Sequence, residues 1–387
     1  MGAGFVSSFP DGWQPTQLRD SGKWLSGGTP STTTPEYWNG DIPWISSGSL
    51  TNFRLWDSDR RITDLGAEHG TRIVKAGTIL MVVRGMSLKT EFRLGIAQRD
   101  MAFGQDCKAL VAGPGIEPEF LAYSIAARSQ HILGIVDEAG HGTGRLNSDQ
   151  LYAVEIGVPT MAEQQAIAQL LSALDDKIAA NTKLAVTAVS LGRALYRSAI
   201  NRPDAVSVQL RNVANNVAGR YLAKEDYVSD GPYFVFGSNS VMGRHDRALQ
   251  QGGFAVLAKI GSYCGNLRWS QRPAWVNNNA SAIVPMTGTE PSVLRHGLDL
   301  IDMTPHRAGT GQPYIRMESL FSAELKVPAS DVSSKVAPIL ESLSELEVRL
   351  GEENLTLAST RNALLPQLMS GKLRVKDAEK VLENAGV

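Results

Sequence analysis

The sequence predicts an α/β (α+β) fold: two mixed α/β globular domains joined by two long antiparallel coiled-coil helices, with approximate twofold symmetry. Two observations lead to this prediction. A block of Gly-Thr-Gly, a strand-length apolar run, a proline and a long helical pattern begins near Gly142 and recurs near Gly309. The two blocks also keep one register, because Pro159 to Leu195 and Pro328 to Leu364 each span 36 residues. The long offset between the blocks, from Pro159 to Pro328, indicates two copies of a domain plus helix rather than a solenoid.

Length and composition limit the class of protein. A chain of 387 residues with 43% apolar residues suggests at least two domains with real cores. No apolar run reaches the roughly 18 residues of a membrane helix, and residues 1–10 lack the features of a secretory signal. Cys107 and Cys264 lie in opposite halves, which favours a reducing cytoplasm. The net charge of −1 means that a nucleic-acid surface would need locally concentrated basic residues.

Residues 1–160, here called head 1, read as a mainly β domain. Short apolar runs such as Thr78 to Val83 and Val154 to Val158 are bounded by turn-forming residues. A shorter helix is predicted from Pro118 to Leu133, with glutamates near its start that suit the helix dipole.

Residues 161–201 form the first predicted long helix. Ile167, Leu171, Leu174 and Ile178 recur at the alternating spacing of a heptad seam. Asn181 interrupts the seam, as a polar residue that fixes register would. The segment Asn201 to Asp204 contains a proline and predicts a domain boundary.

Residues 202–328, here called head 2, repeat the β-rich pattern, and residues 329–372 form the second long helix. Gly253 to Ala258 corresponds to Gly77 to Val82. The distance from Leu18 to the first Gly-Thr-Gly is 124 residues, whereas the distance from Leu210 to the second is 99. The heads have therefore diverged while the helices kept their register.

The seam of the second helix keeps the same offset from that of the first, and it falls on Leu340, Leu343, Leu350 and Leu357. Helix against helix is the preferred arrangement, and a helix that docks only on its own domain is the alternative. At the α-helical rise, about 35 residues would span about 50 Å and space the heads. Residues 373–387 are predicted to be a C-terminal tail that frays.

Motifs for catalysis are not found in the sequence. It lacks a dinucleotide-binding glycine motif, a Walker loop and the Asn-or-Asp-Pro-Pro-aromatic motif of amino methyltransferases. The six histidines are scattered, without metal-ligand spacing. We therefore expect a noncatalytic chain without its own metal or cofactor.

Both heads contain local basic clusters mixed with aromatic and amide residues. Arginine and lysine neutralise phosphates, and arginine and asparagine can read base edges. A surface that is basic by accident is the alternative. The glycines of the two Gly-Thr-Gly motifs could present N–H groups to a phosphate, or simply form a turn that joins head to helix. The candidate DNA contacts are Ser46, Ser47, Arg84, Lys89, Thr90, Arg93, Thr143 and Arg145 in head 1, and Asn239, Arg244, Lys259, Ser262, Tyr263, Arg268, Asn277, Asn278 and Thr310 in head 2.

Three segments make a family resemblance specific. Gly27 to Ser31 and Tyr37 to Ile45 resemble the target-recognition domains of type I restriction-modification specificity subunits. Pro159 to Ile167 resembles the Pro-x-x-x-Glu-Gln-x-x-Ile opening of that family's conserved helix. The second copy departs from the pattern, because Pro328 is not followed by Glu-Gln and head 2 lacks the Gly-Gly-Thr-Pro-Ser run.

The resemblance implies a noncatalytic subunit in which each head reads one half of a bipartite, asymmetric site in double-stranded DNA. It implies that the helices set the gap between half-sites and dock two modification subunits, which methylate adenine with S-adenosylmethionine. Restriction subunits that need Mg²⁺ and ATP would complete the complex. The docking residues would be those of the seams: Ile167, Leu171, Leu174, Ile178, Leu340, Leu343, Leu350 and Leu357. A coiled-coil scaffold whose heads bind proteins or glycans, and a self-sufficient enzyme, remain as alternatives.

Overall fold

A computed structural model describes residues 9–139 and 143–385. Residues 140–142, with Gly142 of the repeat, and residues 1–8 of the N-terminal segment lie outside this part. The chain divides into two compact units. Unit 1 combines the chain up to Ile178 with the chain from Thr356 onward, and unit 2 is the continuous segment Ala179–Leu355. Each unit therefore contains one head and a segment of both long helices, whereas the sequence predicted a division along the chain.

The secondary structure follows the predicted order of head, helix, head and helix. The strands of head 1 are β1 (Gln14–Gln17), β2 (Gly22–Ser26), β3 (Trp38–Ile45), β4 (Arg54–Leu55), β5 (Arg61–Ile62), β6 (Ile73–Val74), β7 (Ile79–Val82), β8 (Arg84–Gly85), β9 (Leu94–Ala97), β10 (Met101–Phe103), β11 (Cys107–Ala112), β12 (Val136–Ala139), β13 (Thr143–Leu146) and β14 (Glu155–Val158). Its helices are α1 (Asp64–Gly70), α2 (Pro118–Ala127), α3 (Ser129–Gly134) and α4 (Ser148–Tyr152), and α5 (Met161–Ile200) follows.

Head 2 has a similar order of elements. Its strands are β15 (Val206–Gln209), β16 (Ala214–Ala218), β17 (Tyr233–Phe236), β18 (Val241–His245), β19 (Phe254–Ala258), β20 (Leu267–Ser270), β21 (Ala274–Val276), β22 (Ala280–Pro285), β23 (Arg307–Ala308), β24 (Tyr314–Ile315) and β25 (Glu324–Val327). Its helices are α6 (Pro291–Leu298) and α7 (Met317–Phe321), and the chain continues with α8 (Ser330–Met369) and α9 (Val375–Ala385). The mixed α/β class with two long helices is confirmed.

Head 1 is built on a five-stranded sheet with strand order β2-β11-β7-β9-β4. All four residues of the central strand β7 are buried, as a continuous apolar run predicts. A second sheet has the order β5-β3-β10-β6, and a third has the order β12-β13-β8. The helix predicted from Pro118 to Leu133 is interrupted, because Arg128 leaves the helical conformation with φ −92° and ψ 3°.

The seam of α5 packs inside unit 1. Leu171 (0% exposed) belongs to a core cluster with Leu364 and Leu368 of α8 and with Trp13 and Phe120 of head 1. The Asp175 carboxylate accepts hydrogen bonds from the Tyr123 hydroxyl and the Arg361 guanidinium. Burial of these apolar faces against the head and the second helix explains why long helices of modest propensity are stable here.

Gln164 connects α5 to head 1. Its side chain is 1% exposed and accepts a hydrogen bond from the Glu117 N–H at 2.9 Å. Its amide group donates to the carbonyl oxygens of Gly115 at 3.1 Å and Pro159 at 2.9 Å. The Glu-Gln motif in this helix therefore has a structural role, since a buried amide is tolerated only with such partners.

Residues Val375–Ala385 of the predicted C-terminal tail form the helix α9. The helix α8 ends just before Gly371, whose φ of +66° favours glycine. In α9, Ala378 is completely buried in the cluster that contains Leu171. Arg374, which precedes α9, forms an ion pair with Glu163 of α5. Apolar contacts to the long helices therefore order this segment.

Head 2 in unit 2 contains a four-stranded sheet of order β16-β22-β19-β20 and a three-stranded sheet of order β18-β17-β21. The antiparallel pair β15–β25 corresponds to β1–β14 of head 1. Below it, Tyr196 of α5 packs with Leu340 of α8, and its hydroxyl donates to the Lys326 carbonyl at 2.7 Å. Within unit 2 the two helix segments run antiparallel, because Thr182 contacts Asn354 whereas Gly192 lies beside Leu340.

Across the described ranges, none of the helices has the length and apolar character needed to cross a membrane.

Candidate nucleic-acid interface

Three segments of head 1 form one surface around the short strand β8. Gly144 and Arg145 of β13 pair with Gly85 and Arg84 of β8. A Cβ atom placed on Gly85 would lie 3.6 Å from the Cβ of Ser47. The 3-10 turn that ends at Lys89 continues directly from β8. We call Ser47, Arg84, Lys89 and Arg145 the head 1 surface.

Arg84 and Arg145 are the most informative residues of this surface. Both side chains are exposed, and they are direct cross-strand partners. Such partners have Cβ atoms about 5 Å apart, where like charges repel each other. Neither arginine forms an ion pair with any residue that the structure describes. Asp137 of β12 lies directly across from Arg145 on its other side, without forming an ion pair. Two adjacent guanidinium groups of this kind are stabilised by an anion such as a phosphate.

The other predicted polar residues at this surface have mixed roles. The Ser46 hydroxyl accepts a hydrogen bond from the Ser49 N–H at 3.1 Å and so holds the turn after β3. Thr143 is half-buried, and Thr90 is exposed next to Lys89. Ser46 therefore positions the turn, whereas Thr90 is exposed and its hydroxyl donates to the Ser87 carbonyl at 3.5 Å.

The Gly-Thr-Gly motifs do not join head to helix, which corrects one predicted role. In the first copy Gly144 lies in β13, and a Cβ there would approach the Leu88 Cβ to 2.8 Å. In the second copy Gly309 (φ +86°) to Gly311 form the turn between β23 and β24. A short helix and a strand separate each motif from the long helix that follows. Close packing and a turn explain these glycines.

Arg93 has a different environment from the head 1 surface. Its guanidinium forms an ion pair with Glu91 at 2.8 Å. It also lines a cavity of about 240 Å³ together with Asp175 and Arg361 of the long helices. Its charge is therefore compensated within the protein.

Head 2 places different residues at the equivalent surface. The strand β19 corresponds to β7, and Ile260 just after it bridges Tyr314 of β24. Ile260 is 36% exposed and Tyr314 is 45% exposed. The following loop carries Ser262 and Tyr263, which are both exposed, and Thr310 is exposed in the neighbouring turn. The head 2 surface, defined as Lys259, Ile260, Tyr263 and Tyr314, is thus more apolar than that of head 1.

Lys259 is the cation of the head 2 surface. Its side chain is half-buried, and desolvation lowers its pKa. Within the described ranges its ammonium has no carboxylate partner at ion-pair distance. An anionic ligand would offset the cost of this burial.

Three predicted contacts in head 2 serve its own fold. Asn277 is 5% exposed, and its side-chain oxygen accepts from the Asn278 N–H at 2.6 Å. The Arg244 guanidinium donates to the Gly231 carbonyl at 3.1 Å and lies over the Phe234 ring. Arg268 donates to the Asn239 carbonyl. A DNA contact by Asn277 does not fit its burial, whereas Asn239, Arg268 and Asn278 are exposed.

The seam residues of the predicted partner-docking helices are buried within the chain, so they serve helix packing, and docking by these helices stays a prediction. The seam residues with 0 to 5% exposure are Ile167, Leu171, Leu174, Leu340, Leu350 and Leu357. Ile178 and Leu343 are half-buried. A heptad seam is covered by the packing of its own helices, so these side chains cannot meet another subunit. The outer helix faces carry other apolar residues, including Leu184 and Leu191, which are 47% and 48% exposed.

Comparison with known proteins agrees with this geometry. Residues 10–187 match the family model of the type I restriction modification DNA specificity domain. The chain is 31% identical over 160 residues to the EcoR124I/EcoR124II specificity subunit of Escherichia coli. This alignment covers 41% of this chain and 40% of that protein. It is 32% identical over 179 residues to the MjaIX specificity subunit of Methanocaldococcus jannaschii, which covers 45% of this chain and 40% of that protein.

Residues 10–187 are therefore similar to the DNA specificity domain of type I restriction-modification systems.

The structural comparison extends this family's fold to almost the whole chain. The S subunit of a type I restriction-modification system from M. genitalium matches with a TM-score of 0.65 and 17% identity. The match covers 94% of this chain and 97% of that one. The sequence matches span only 40% of each of the two named relatives. The family-model match ends at residue 187, within α5, and the similarity of the remainder is one of fold.

Ile260 and Tyr314 were missed by the sequence reasoning. The signal was available, because the repeat offset that pairs Pro159 with Pro328 also pairs Arg145 with Tyr314. A search for phosphate contacts selects basic residues, and it therefore does not select apolar residues such as Ile260 and Tyr314 at the equivalent positions of head 2. Within the described residues, no group of three His, Cys, Asp or Glu side chains could hold a metal ion.

Proposed function

We propose that this chain is a type I restriction-modification specificity subunit that reads a bipartite, asymmetric DNA target, with one half-site for each head. The Arg84–Arg145 pair carries this proposal, since two exposed cations on adjacent strands, neither in an ion pair within the described residues, suit a phosphate backbone. The equivalent pair in head 2 is Ile260 and Tyr314. One position with two chemistries supports two different half-sites.

The two long helices are proposed to set the distance between the half-sites. Each has 40 residues, and together they contribute to the cores of both units. Because their seam is buried, the modification subunits would dock on the outer faces, where Leu184 and Leu191 are exposed. The chain itself is noncatalytic in this proposal. S-adenosylmethionine, Mg²⁺ and ATP act on the modification and restriction subunits.

Footprinting of the subunit bound to its modification subunit tests the proposal. We expect two protected patches separated by an unprotected spacer without sequence preference. One continuous footprint, or binding without sequence preference, would contradict bipartite reading.

The salt dependence of DNA binding tests the cationic surface separately. Each lost phosphate contact reduces the slope of log K against log salt by about 0.9. We expect this reduction for Arg84→Ala and for Arg145→Ala. Arg93→Ala is the matched control, because Arg93 is already paired with Glu91, and it should leave the slope unchanged. An unchanged slope in all three variants would remove the Arg84–Arg145 pair from the interface.

A further inference from the structure

We infer that Ile260 and Tyr314, with Tyr263, form an apolar base-reading surface in head 2 that recognises the methyl group of a thymine. This inference rests on the proposed function, because it requires that head 2 binds DNA. It goes further by naming the residues that determine specificity and the base that they take.

The equivalence of the two heads locates this surface. In head 1, β8 follows the buried strand β7 and pairs with β13 through Arg84 and Arg145. In head 2, the segment after the buried strand β19 bridges β24 through Ile260 and Tyr314. The same antiparallel position therefore holds two cations in one head and two apolar side chains in the other.

The apolar residues are held outward by the backbone. A Cβ atom on Gly309 would lie 3.2 Å from Cδ1 of Tyr314, so the ring of Tyr314 rests against that turn. Tyr263, which is 47% exposed, lies on the loop that continues from Ile260. The Gly261 N–H donates to the Pro313 carbonyl at 2.8 Å and ties this loop to the turn. The three side chains are thus presented on connected, hydrogen-bonded segments.

Cations flank the apolar residues. Lys259 precedes Ile260 and is half-buried, and the exposed Arg307 lies on β23 beside the strand of Tyr314. Neither forms an ion pair within the ranges that the structure describes. The charge of Arg307 interacts with Asp302, whereas Lys259 has no carboxylate partner among the described residues. Cations around exposed apolar groups fit a polyanion that also offers an apolar group.

Thymine supplies that group in DNA. The major groove presents hydrogen-bond donors and acceptors at every base pair, and its apolar feature is the 5-methyl group of thymine. Isoleucine and the face of a tyrosine can cover this methyl group, while Lys259 and Arg307 contact the phosphates on either side.

Deoxyuridine substitution provides the test, because deoxyuridine differs from thymidine only by the missing methyl group. The target is first defined by mapping the methylated adenines in a host that expresses the subunit with its partners. Binding of the complex with the modification subunit is then measured on duplexes in which each thymine is replaced in turn. Burial of one methyl group corresponds to a change of roughly 3- to 5-fold in affinity.

We expect this loss at one or two thymines of a single half-site for the unmodified chain. The variants Ile260→Ala and Tyr314→Ala should bind the thymine and deoxyuridine duplexes equally well. Tyr221→Ala is the matched control, because Tyr221 is a more exposed tyrosine of head 2 (72%) outside this surface, and it should keep the discrimination.

Several results would overturn the inference. These are an unmodified chain that does not distinguish the two bases at any thymine, or equal discrimination in Ile260→Ala, Tyr314→Ala and the control. In each case specific binding would persist, so the proposed function would stand. Absence of sequence-specific binding by the unmodified chain would instead contradict the proposed function. Thermal unfolding of each variant identifies any loss of binding that results from misfolding.

Discussion

Replacement of Leu171 by alanine tests whether the heptad seam serves packing or docking. Leu171 has no exposed surface, and it lies in a cluster with Leu364, Leu368 and Trp13. Leucine-to-alanine changes at such sites cost 2 to 5 kcal/mol, through the lost transfer free energy and the cavity left behind. We expect about 3 kcal/mol here. For a unit of roughly 200 residues this lowers the melting temperature by about 6 to 12 °C.

Leu184→Ala provides the matched control on the same helix. Leu184 is 47% exposed, so its truncation should change the stability by less than about 0.5 kcal/mol. If modification subunits dock on the outer face, this variant should weaken their binding instead.

Hydrogen exchange is the appropriate assay, because the two units need not unfold together and a single melting temperature would mix them. Protection should fall in the peptides that contain Leu171 and Leu364 and stay constant in head 2. The packing argument would be wrong if Leu171→Ala cost less than about 1 kcal/mol while it abolished partner binding.

Three further predictions concern charge, pH and helix length. Arg361→Ala should destabilise unit 1 by about 3 kcal/mol in urea unfolding, because it leaves the carboxylate of Asp175 (8% exposed) with the Tyr123 hydroxyl as its remaining partner. Adding Asp175→Asn should recover part of this loss, because it removes the buried charge. If the double variant recovers no stability, the argument is wrong. Burial, with smaller effects from the charges of Arg295 and Arg193, lowers the pKa of His296 to about 4 from its usual 6.5, although the Asp299 carboxylate opposes this shift. The unfolded chain therefore binds a proton at a pH where His296 of the folded unit stays neutral, so the free energy of unfolding should fall as the pH is lowered from 6.5 to 4. We expect a fall of about 2 kcal/mol, less than the full pKa shift implies, because the ring borders an open cavity and is partly solvated. His296→Gln should abolish this fall in stability between pH 6.5 and pH 4. His69→Gln, at an exposed site, is the control and should keep it. If stability depends on pH equally in the two variants, the assignment to His296 is refuted. The third variant deletes residues 179–185 and 351–357 together, and these segments contain the contacting residues Thr182 and Asn354. The deletion removes about 10 Å from each helix, so it should shorten the spacer between the methylated half-sites by about 3 base pairs without changing the half-sites. An unchanged spacer would show that the helices do not set the distance between the half-sites.

The long helices could be predicted from the sequence, because helix periodicity is a local signal. The seam of Leu171 and Leu174 and its repetition at Leu340 and Leu343 required no knowledge of tertiary structure. The partners of that seam were harder to assign. A resemblance to a family suggests that conserved helices dock other subunits, whereas the structure shows that the seam is covered by the chain itself.

The candidate surfaces depended on pairing that the sequence does not display. Arg84 and Arg145 are distant in the sequence and meet only because β8 pairs with β13. Arg93 is close to Arg84 in sequence, but β9 carries it to a cavity beside the long helices. Asn277 belongs to a polar run that suggests a surface turn, yet its N–H donates to the Phe236 carbonyl of a neighbouring strand. Nonlocal strand pairing decides which polar residues face the solvent.

The Glu-Gln motif shows a similar limit. The sequence marks Gln164 through a family pattern, but only the structure shows that its amide inserts into head 1. The equivalent residue of the second copy is Ser333, which is too short for these contacts. Loss of the motif in the second copy thus corresponds to a different connection between helix and head.

The composition of the two units has a consequence for the order of folding during synthesis. Unit 2 is one uninterrupted segment, Ala179–Leu355, so all of its strands and helix segments leave the ribosome before the rest of unit 1 is complete. Unit 1 is synthesised first but lacks Leu364, Leu368 and Ala378 until its second segment emerges. Head 1 has a core of its own, from Leu18 to Ile156, but the apolar face of α5 around Leu171 stays uncovered while head 2 matures, because domains fold as units during translation. A nascent chain stalled once Leu355 has emerged should therefore be protease-resistant in head 2 and sensitive in the first turns of α5.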